Sequence, residues 1–176
     1  MTKIIIALIF LLLFTHDKPA CASKNIEQAG DVLQVVIPSV AFVSTLYLGD
    51  KQGQIQFLKS FTSNFLITNA LKSIVTKKRP NGGLRSFPSG HTSAAFQGAA
   101  FIHKRYGFFI SVPAYLAAGF VGYSRVESKF HFNNDVFAGA AIGILNSFYF
   151  TTHFKNFNLR PTVQTGVFAL QFSIPI

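Results

Sequence analysis

Five apolar runs separated by short polar stretches set the plan of this chain. Asp31 to Gly49 is apolar on all sides, through Val32-Leu33, Val35-Val36-Ile37, Val40-Ala41-Phe42-Val43 and Leu46-Tyr47-Leu48. It predicts a buried or transmembrane helix, kinked at Pro38. After a polar turn at Asp50 to Gln54, apolar positions from Ile55 to Val75 (Phe57, Leu58, Phe61, Phe65, Leu66, Leu71, Ile74) recur at three- and four-residue spacing. That is a second helix with one packing face, carrying Lys72 near its end and stopping before Pro80. A third helix opens at Ser89 as N-cap and runs to about His103. Its small residues Ala94, Ala95, Gly98, Ala99 and Ala100 suit close helix contact in lipid. Tyr106 to Tyr123, with Pro113 inside, predicts a fourth helix. Val136 to Phe150, with Gly139 and Gly143 at GxxxG spacing, predicts a fifth, capped by Asn133 or Asn134. Beyond Phe154 the pattern breaks at Lys155, Arg160 and Pro161, and Val167 to Ile174 alternates loosely, as a short strand does. The fold expected is all-α, a single-domain helical bundle.

The N-terminus predicts export. Lys3 supplies a short positive region, Ile4 to Phe14 an apolar stretch, and Ala20-Cys21-Ala22 a small-x-small cleavage site before Ser23. The apolar stretch is shorter than the ~20 residues a bilayer crossing needs. Residues 1–22 therefore form a signal segment, cleaved or kept as an anchor. Residues 30–153 form the helical domain and 154–176 a tail.

Composition narrows the class. The chain has 176 residues, a formal charge of +10, 49% hydrophobic residues, only 12% charged residues and 21 Phe. Nucleic-acid binders are basic and polar; this chain is basic and greasy, which suits a membrane protein that handles anions and speaks against nucleic acid as partner. Its single cysteine, Cys21, leaves no intrachain disulfide to form.

The cations and histidines fall in three places. Lys72 stands before the loop Lys77-Lys78-Arg79-Pro80-Asn81-Gly82-Gly83-Leu84-Arg85, a cluster of positive charge between helices that needs a counter-anion. Pro88-Ser89-Gly90-His91 opens the third helix, where free N–H groups attract anions, Gly90 allows close approach and His91 is placed to pass a proton. Ser124-Arg125, then His131 and Asp135, precede the fifth helix. His131 as neutral imidazole is a nucleophile for an electrophile that Arg125 grips, and Asp135, four residues on, is within reach of its other ring nitrogen. After Asp50 the only carboxylates are Glu127 and Asp135, too few for a two-metal site, so side chains must carry the positive charge and no cofactor is implied.

Together these stretches resemble the type 2 phosphatidic acid phosphatase superfamily, which also holds the bacterial acid phosphatases and the vanadium haloperoxidases. The three motifs stand in the family's order and spacing over roughly residues 30–153. The resemblance implies a membrane-embedded bundle with its site at one end. Lys72, Arg79 and Arg125 would hold the phosphoryl oxygens, with Ser89 and the Gly90 backbone completing the cradle. His131 would become a phosphohistidine, Asp135 would orient it, and His91 would protonate the leaving oxygen. The function expected is metal-independent hydrolysis of a phosphomonoester or pyrophosphate on a membrane lipid: phosphatidate, a phosphatidylglycerol phosphate, a polyprenyl pyrophosphate or a lipid A phosphate. The rival readings are a periplasmic acid phosphatase on soluble esters, a vanadate haloperoxidase, and a membrane protein that only binds anionic lipid. With Ser23 delivered outward, alternating helices bring all three motifs to the periplasmic face of a bacterial inner membrane. Lys104-Arg105 and Lys155 with Arg160 then fall on the cytoplasmic side.

Overall fold

The computed structural model describes residues 19–154, 158–164 and 167–173; the apolar part of the predicted signal segment lies outside them. Five helices follow one another: α1 Pro19–Tyr47, α2 Lys51–Ile74, α3 Gly90–Tyr106, α4 Phe108–Glu127 and α5 Asn133–Phe150. An antiparallel hairpin, β1 Asn158–Gln164 with β2 Val167–Ser173, closes the chain and pairs Asn158 with Ser173 and Gln164 with Val167. β2 falls within the alternating tail stretch. The bundle itself is all-helical, as the periodicity predicts.

Four helix starts differ from the sequence reading: α2 begins at Lys51, inside the expected polar turn, α4 begins at Phe108 and not Tyr106, and α1 and α5 differ as follows. α1 begins at Pro19, twelve residues before Asp31, because the amphipathic stretch around Glu27 continues the helix upstream. α5 begins at Asn133 with Phe132 as N-cap. Asp135, the third residue of the helix, accepts the Phe132 N–H at 3.0 Å, and neither Asn133 nor Asn134 is the cap.

α3 is the axis of the bundle and packs against each of the other four helices. Its small residues make this possible. An added Cβ at Gly139 of α5 would lie 2.4 Å from the Ser89 carbonyl oxygen, and one at Gly143 would lie 2.4 Å from the Ser93 carbonyl oxygen and 2.7 Å from the Gln97 nitrogen. An added Cβ at Gly98 of α3 would meet the Pro38 backbone of α1 at 2.8 Å. The apolar core falls in two clusters. Ile37, Ala95, Ala99, Ala118 and Val121 form one, and Ala41, Phe57, Phe101, Ile102 and Tyr106 the other. Phe57 and Phe101 meet edge to face at 5.1 Å.

Between these clusters and α2 the interior is polar. Ser93 Oγ donates to Asn64 Oδ1 at 2.6 Å, Gln97 Nε2 to Ser60 Oγ at 2.8 Å, and Ser147 Oγ to the Gln97 carbonyl at 2.7 Å. Each bond joins two helices and offsets the cost of burying its polar groups. The outside is apolar instead. Val32, Val35 and Val43 on α1, Phe65 and Leu66 on α2, Leu116 on α4, and Phe137, Leu145 and Tyr149 on α5 are all exposed. Among the described residues no large hydrophobic side chain of α3 is exposed. Polar contacts inside and apolar side chains outside are the pattern of helices packed in lipid. Taken singly, one helical stretch among the described residues, Lys24–Tyr47, is long and apolar enough to cross a membrane.

One end of the bundle is closed by a buried ion pair. Asp50 caps α2 through the Gly53 N–H at 2.8 Å and receives Arg105 Nε at 2.6 Å and Tyr106 Oη at 3.1 Å. Arg105 Nη1 reaches the Thr152 carbonyl at 2.8 Å. Arg105 is 1% exposed, so it is a structural staple and not part of an exposed basic cluster with Lys104. Asp50, which the sequence shows only as a turn residue, neutralises it.

Candidate active site

The opposite end holds the three motifs. α2 delivers Lys72 in its last turn, and the following loop doubles back through Arg79 N–H to the Gly83 carbonyl at 2.7 Å and Ser86 N–H to the Lys77 carbonyl at 2.8 Å. This loop is tied to the α4–α5 connection by Asn81 N–H donating to the Lys129 carbonyl at 3.1 Å. α3 starts beside α5, with the Ser89 N–H on the Asp135 carbonyl at 2.9 Å. α4 ends with Arg125, whose carbonyl accepts the N–H groups of Phe130 at 3.0 Å and His131 at 3.2 Å. The chain between Arg125 and α5 is thereby folded into a tight arch with His131 on its inner side.

These elements enclose a cavity of about 360 Å³. Lys72, Arg79, Gly90, His91, Arg125 and His131, six of the eight residues expected from the motifs, line it. Lys72 Nζ is steadied by the Arg85 carbonyl at 3.2 Å and Arg79 Nε by the Leu84 carbonyl at 3.1 Å. Phe130 also lines the cavity, its ring 5.8 Å from the Arg79 guanidinium and 5.6 Å from that of Arg125, so it spaces the two cations. The first turn of α3 adds the free N–H groups of a helix N-terminus at Gly90 and His91.

The two remaining residues sit behind the wall. Ser89 is fully buried, and its Oγ caps α3 by accepting the Thr92 N–H and sharing a hydrogen bond with Thr92 Oγ1 at 2.9 Å. In this structure the hydroxyl serves the cap and does not line the cavity. Asp135 is also fully buried and has its carboxylate occupied: Lys77 Nζ at 2.7 Å on Oδ1, Ser86 Oγ at 2.5 Å and the Phe132 N–H at 3.0 Å on Oδ2. His131 Nδ1 lies 3.9 Å from Asp135 Oδ2, longer than a hydrogen bond, and has no hydrogen-bond partner. The ring faces the carboxylate without engaging it. His131 is 3% exposed. Burial, followed by the positive charges of Lys72 and Arg79, pushes its pKa down to about 4, against the opposing pull of the Ser86 backbone and of Asp135. It is a neutral imidazole near pH 7.

α1 contributes residues the motifs do not contain. Asp31 Oδ1 accepts Arg125 Nη1 at 2.7 Å and lies 3.1 Å from His91 Nε2. The Glu27 carbonyl accepts Arg125 Nη2 at 2.6 Å. Both residues line the cavity. Their one sequence signal is a pair of acids one helical turn apart, ahead of an otherwise uncharged helix. Lys77, the partner of Asp135, was visible only as one of several loop cations.

Chemically, the cavity is suited to a phosphoryl group. Three fixed cations and a helix N-terminus face it, and two histidines, His131 and His91, line it. Among the described residues no group of three or more His, Cys, Asp or Glu side chains forms a metal site.

Residues 82–159 match the family model of the PAP2 superfamily. Over 126 residues the chain is 35% identical to a lipid A 1-phosphatase of Porphyromonas gingivalis, covering 65% of this chain and 28% of that protein. It is 37% identical over 98 residues to lipid phosphate phosphatase 2 of Arabidopsis thaliana, covering 47% of this chain and 31% of that protein. The chain thus spans less than a third of the length of these curated relatives. The bundle resembles the crystal structure of Aquifex aeolicus LpxE with a TM-score of 0.65, at 22% identity, over 82% of this chain and 93% of that one. In the sequence of residues 82–159, and in a fold that carries the three motifs to one cavity, the chain is similar to the PAP2 superfamily.

Proposed function

We propose that the protein is a multi-pass membrane phosphatase that removes a phosphate from a lipid headgroup through a phosphohistidine, with its site on the periplasmic face. The observation that carries the lipid part is the continuity of two unlike cavities. A groove of about 570 Å³ runs along α1, α2 and α3, lined mostly by apolar side chains such as Val35, Phe42, Phe61 and Phe65. Lys72 and Gly90 line both this groove and the cationic cavity. An amphiphile with a phosphate at one end and hydrocarbon at the other matches that junction. The relatives named above are phosphatases of lipids, which supports the same class.

In this reading Lys72, Arg79, Arg125 and the Gly90 backbone hold the three non-bridging oxygens and stabilise the charge that develops on them. Nδ1 of His131 faces Asp135, which leaves Nε2 to attack phosphorus. The P–O bond to the lipid breaks as the N–P bond forms, and the departing alkoxide takes a proton from His91. Water then attacks the phosphohistidine, giving its proton to His91, breaking the N–P bond and releasing inorganic phosphate. Asp135 acts by holding Lys77, Ser86 and the start of α5 around the nucleophile.

The test is phosphate release by purified, detergent-dispersed protein over phosphatidate, phosphatidylglycerol phosphate, a polyprenyl pyrophosphate, lipid A and soluble phosphoesters, all in EDTA. Release from at least one lipid phosphate is expected. It should be blocked by orthovanadate, which adopts the trigonal-bipyramidal shape of the transferring group, and abolished by His131→Ala. Loss of turnover in EDTA with recovery on added Mg²⁺ would overturn the role of the cations. Equal turnover of soluble esters would remove the lipid assignment.

A further inference from the structure

We propose that Asp31 on α1 is a positioning residue for the leaving-group acid, forming with His91 a carboxylate–imidazole dyad in the cavity that His131 also lines. The inference rests on the phosphatase reading above and adds a residue outside the three motifs.

Asp31 stands at the meeting point of two groups from separate helices. Its Oδ1 is 3.1 Å from His91 Nε2 at the start of α3 and 2.7 Å from Arg125 Nη1 at the end of α4. The packing of α1 is built for this contact. An added Cβ at Gly30, the residue before, would lie 2.0 Å from Ser124 Oγ and 2.8 Å from Arg125 Nη2. The α1 backbone is therefore seated directly on the Arg125 side chain, which is itself 3% exposed and gives Nη2 to the Glu27 carbonyl at 2.6 Å and Nε to Ser124 Oγ at 3.1 Å.

The chemistry needs such a group. A histidine that protonates a leaving alkoxide must hold a proton when the substrate arrives. Three cations share the cavity with His91: Lys72 from α2, Arg79 from the following loop and Arg125 from α4. Of the two acids lining the cavity, Asp31 is the one within hydrogen-bond distance of His91, and its charge opposes that of the three cations when the ring takes up a proton. By engaging Nε2 it also fixes the ring, so that the Nδ1 edge is the one free for the leaving oxygen. A carboxylate in an anion site weakens ground-state phosphate binding at the same time. Removing its charge should therefore tighten binding while slowing the step that needs the acid.

The experiment compares Asp31→Asn, Asp31→Glu and wild type on dioctanoyl phosphatidate, whose leaving group is an alkoxide, and on p-nitrophenyl phosphate, whose leaving group needs no proton. Thermal unfolding in detergent checks that each variant is folded. Asp31→Asn should lower kcat on phosphatidate by about tenfold or more, a part of the ~10²–10⁴-fold a general acid supplies. It should leave kcat on the nitrophenyl ester within about threefold, lower KM, and recover with Asp31→Glu. In a His91→Ala background Asp31→Asn should cost nothing further. An equal loss on both substrates, no loss on either, or a full additional loss in the His91→Ala background would overturn the dyad. If wild type releases no phosphate, or His131→Ala retains turnover, the phosphatase reading itself fails, a result separable from these.

Discussion

In the proposed mechanism His131 attacks phosphorus, which requires a neutral imidazole, and the cavity favours that state. Burial and the charges of Lys72 and Arg79 bring its pKa to about 4, below the usual 6.5. A lowered pKa means the proton is lost at lower pH, so the acid limb of kcat/KM should fall near pH 4 and not through 6.5. The phosphate of the substrate ionises near ~6 and must be titrated separately and divided out. A limb at or above 6.5 after that correction would contradict this environment. The same shift means the unfolded chain binds more protons between about pH 4 and 6.5, so the histidine contributes stability above 6.5 that is lost as pH falls through that window. Asp135 answers to a different test. Its carboxylate is fully buried and joins Lys77, Ser86 and Phe132, so Asp135→Asn leaves Lys77 without its counter-ion and sets an amide against the Ser86 hydroxyl. We expect a loss of about 1–3 kcal/mol in stability together with lower turnover. An unchanged unfolding midpoint would mean that this hub does not hold the loop.

At the level of elements, α3 decides the architecture because its neighbours lie so close. An added Cβ at Gly143 would be 2.4 Å from the Ser93 carbonyl oxygen, a backbone atom that a rotamer change does not relieve. Gly143→Leu should destabilise the protein by at least about 1–3 kcal/mol, read as a drop in the detergent-solubilised unfolding midpoint. Gly119 on α4 meets nothing within 4 Å, so Gly119→Leu serves as control and should be neutral or slightly stabilising. The helices and the GxxxG pair were legible because each depends on local spacing, and the six cavity residues because they stand in the three motifs that resemble a known family. Asp31, Glu27 and Phe130 were not, since their roles arise only when α1 and the Arg125–His131 arch meet in space. Arg105 looked like an exposed cation for the same reason: its partner Asp50 is 55 residues away. Ser89 was read as cap and as phosphate ligand, and local hydrogen bonding engages its hydroxyl as the cap.

For the whole molecule, the alternation of helices explains how one site draws on four of them. α1 leads away from the cavity after Asp31, α2 returns with Lys72, α3 leads away from Gly90, α4 returns with Arg125, and α5 leads away from Asp135. At 1.5 Å per residue the 24 residues of α2 span about 36 Å and the 20 of α4 about 30 Å, against a hydrocarbon core of ~30 Å. The 17 residues of α3 span only about 26 Å, but this helix is enclosed by the other four, which shield its polar residues from lipid. In the proposed membrane-spanning arrangement the Lys77–Arg85 loop would lie on one face and the Leu48–Asp50 turn with the start of α2 on the other. The proposed orientation sets the loop outside, against the positive-inside tendency, because its cations serve the phosphate. Asn81 and Gln52 are exposed at these two ends. Single cysteines at each, in a Cys21→Ser background, should behave oppositely toward a membrane-impermeant thiol reagent: Asn81→Cys labelled in intact spheroplasts, Gln52→Cys only after permeabilisation. The reverse pattern would put the site in the cytoplasm, and labelling of both in intact cells would mean that the bundle does not span the membrane.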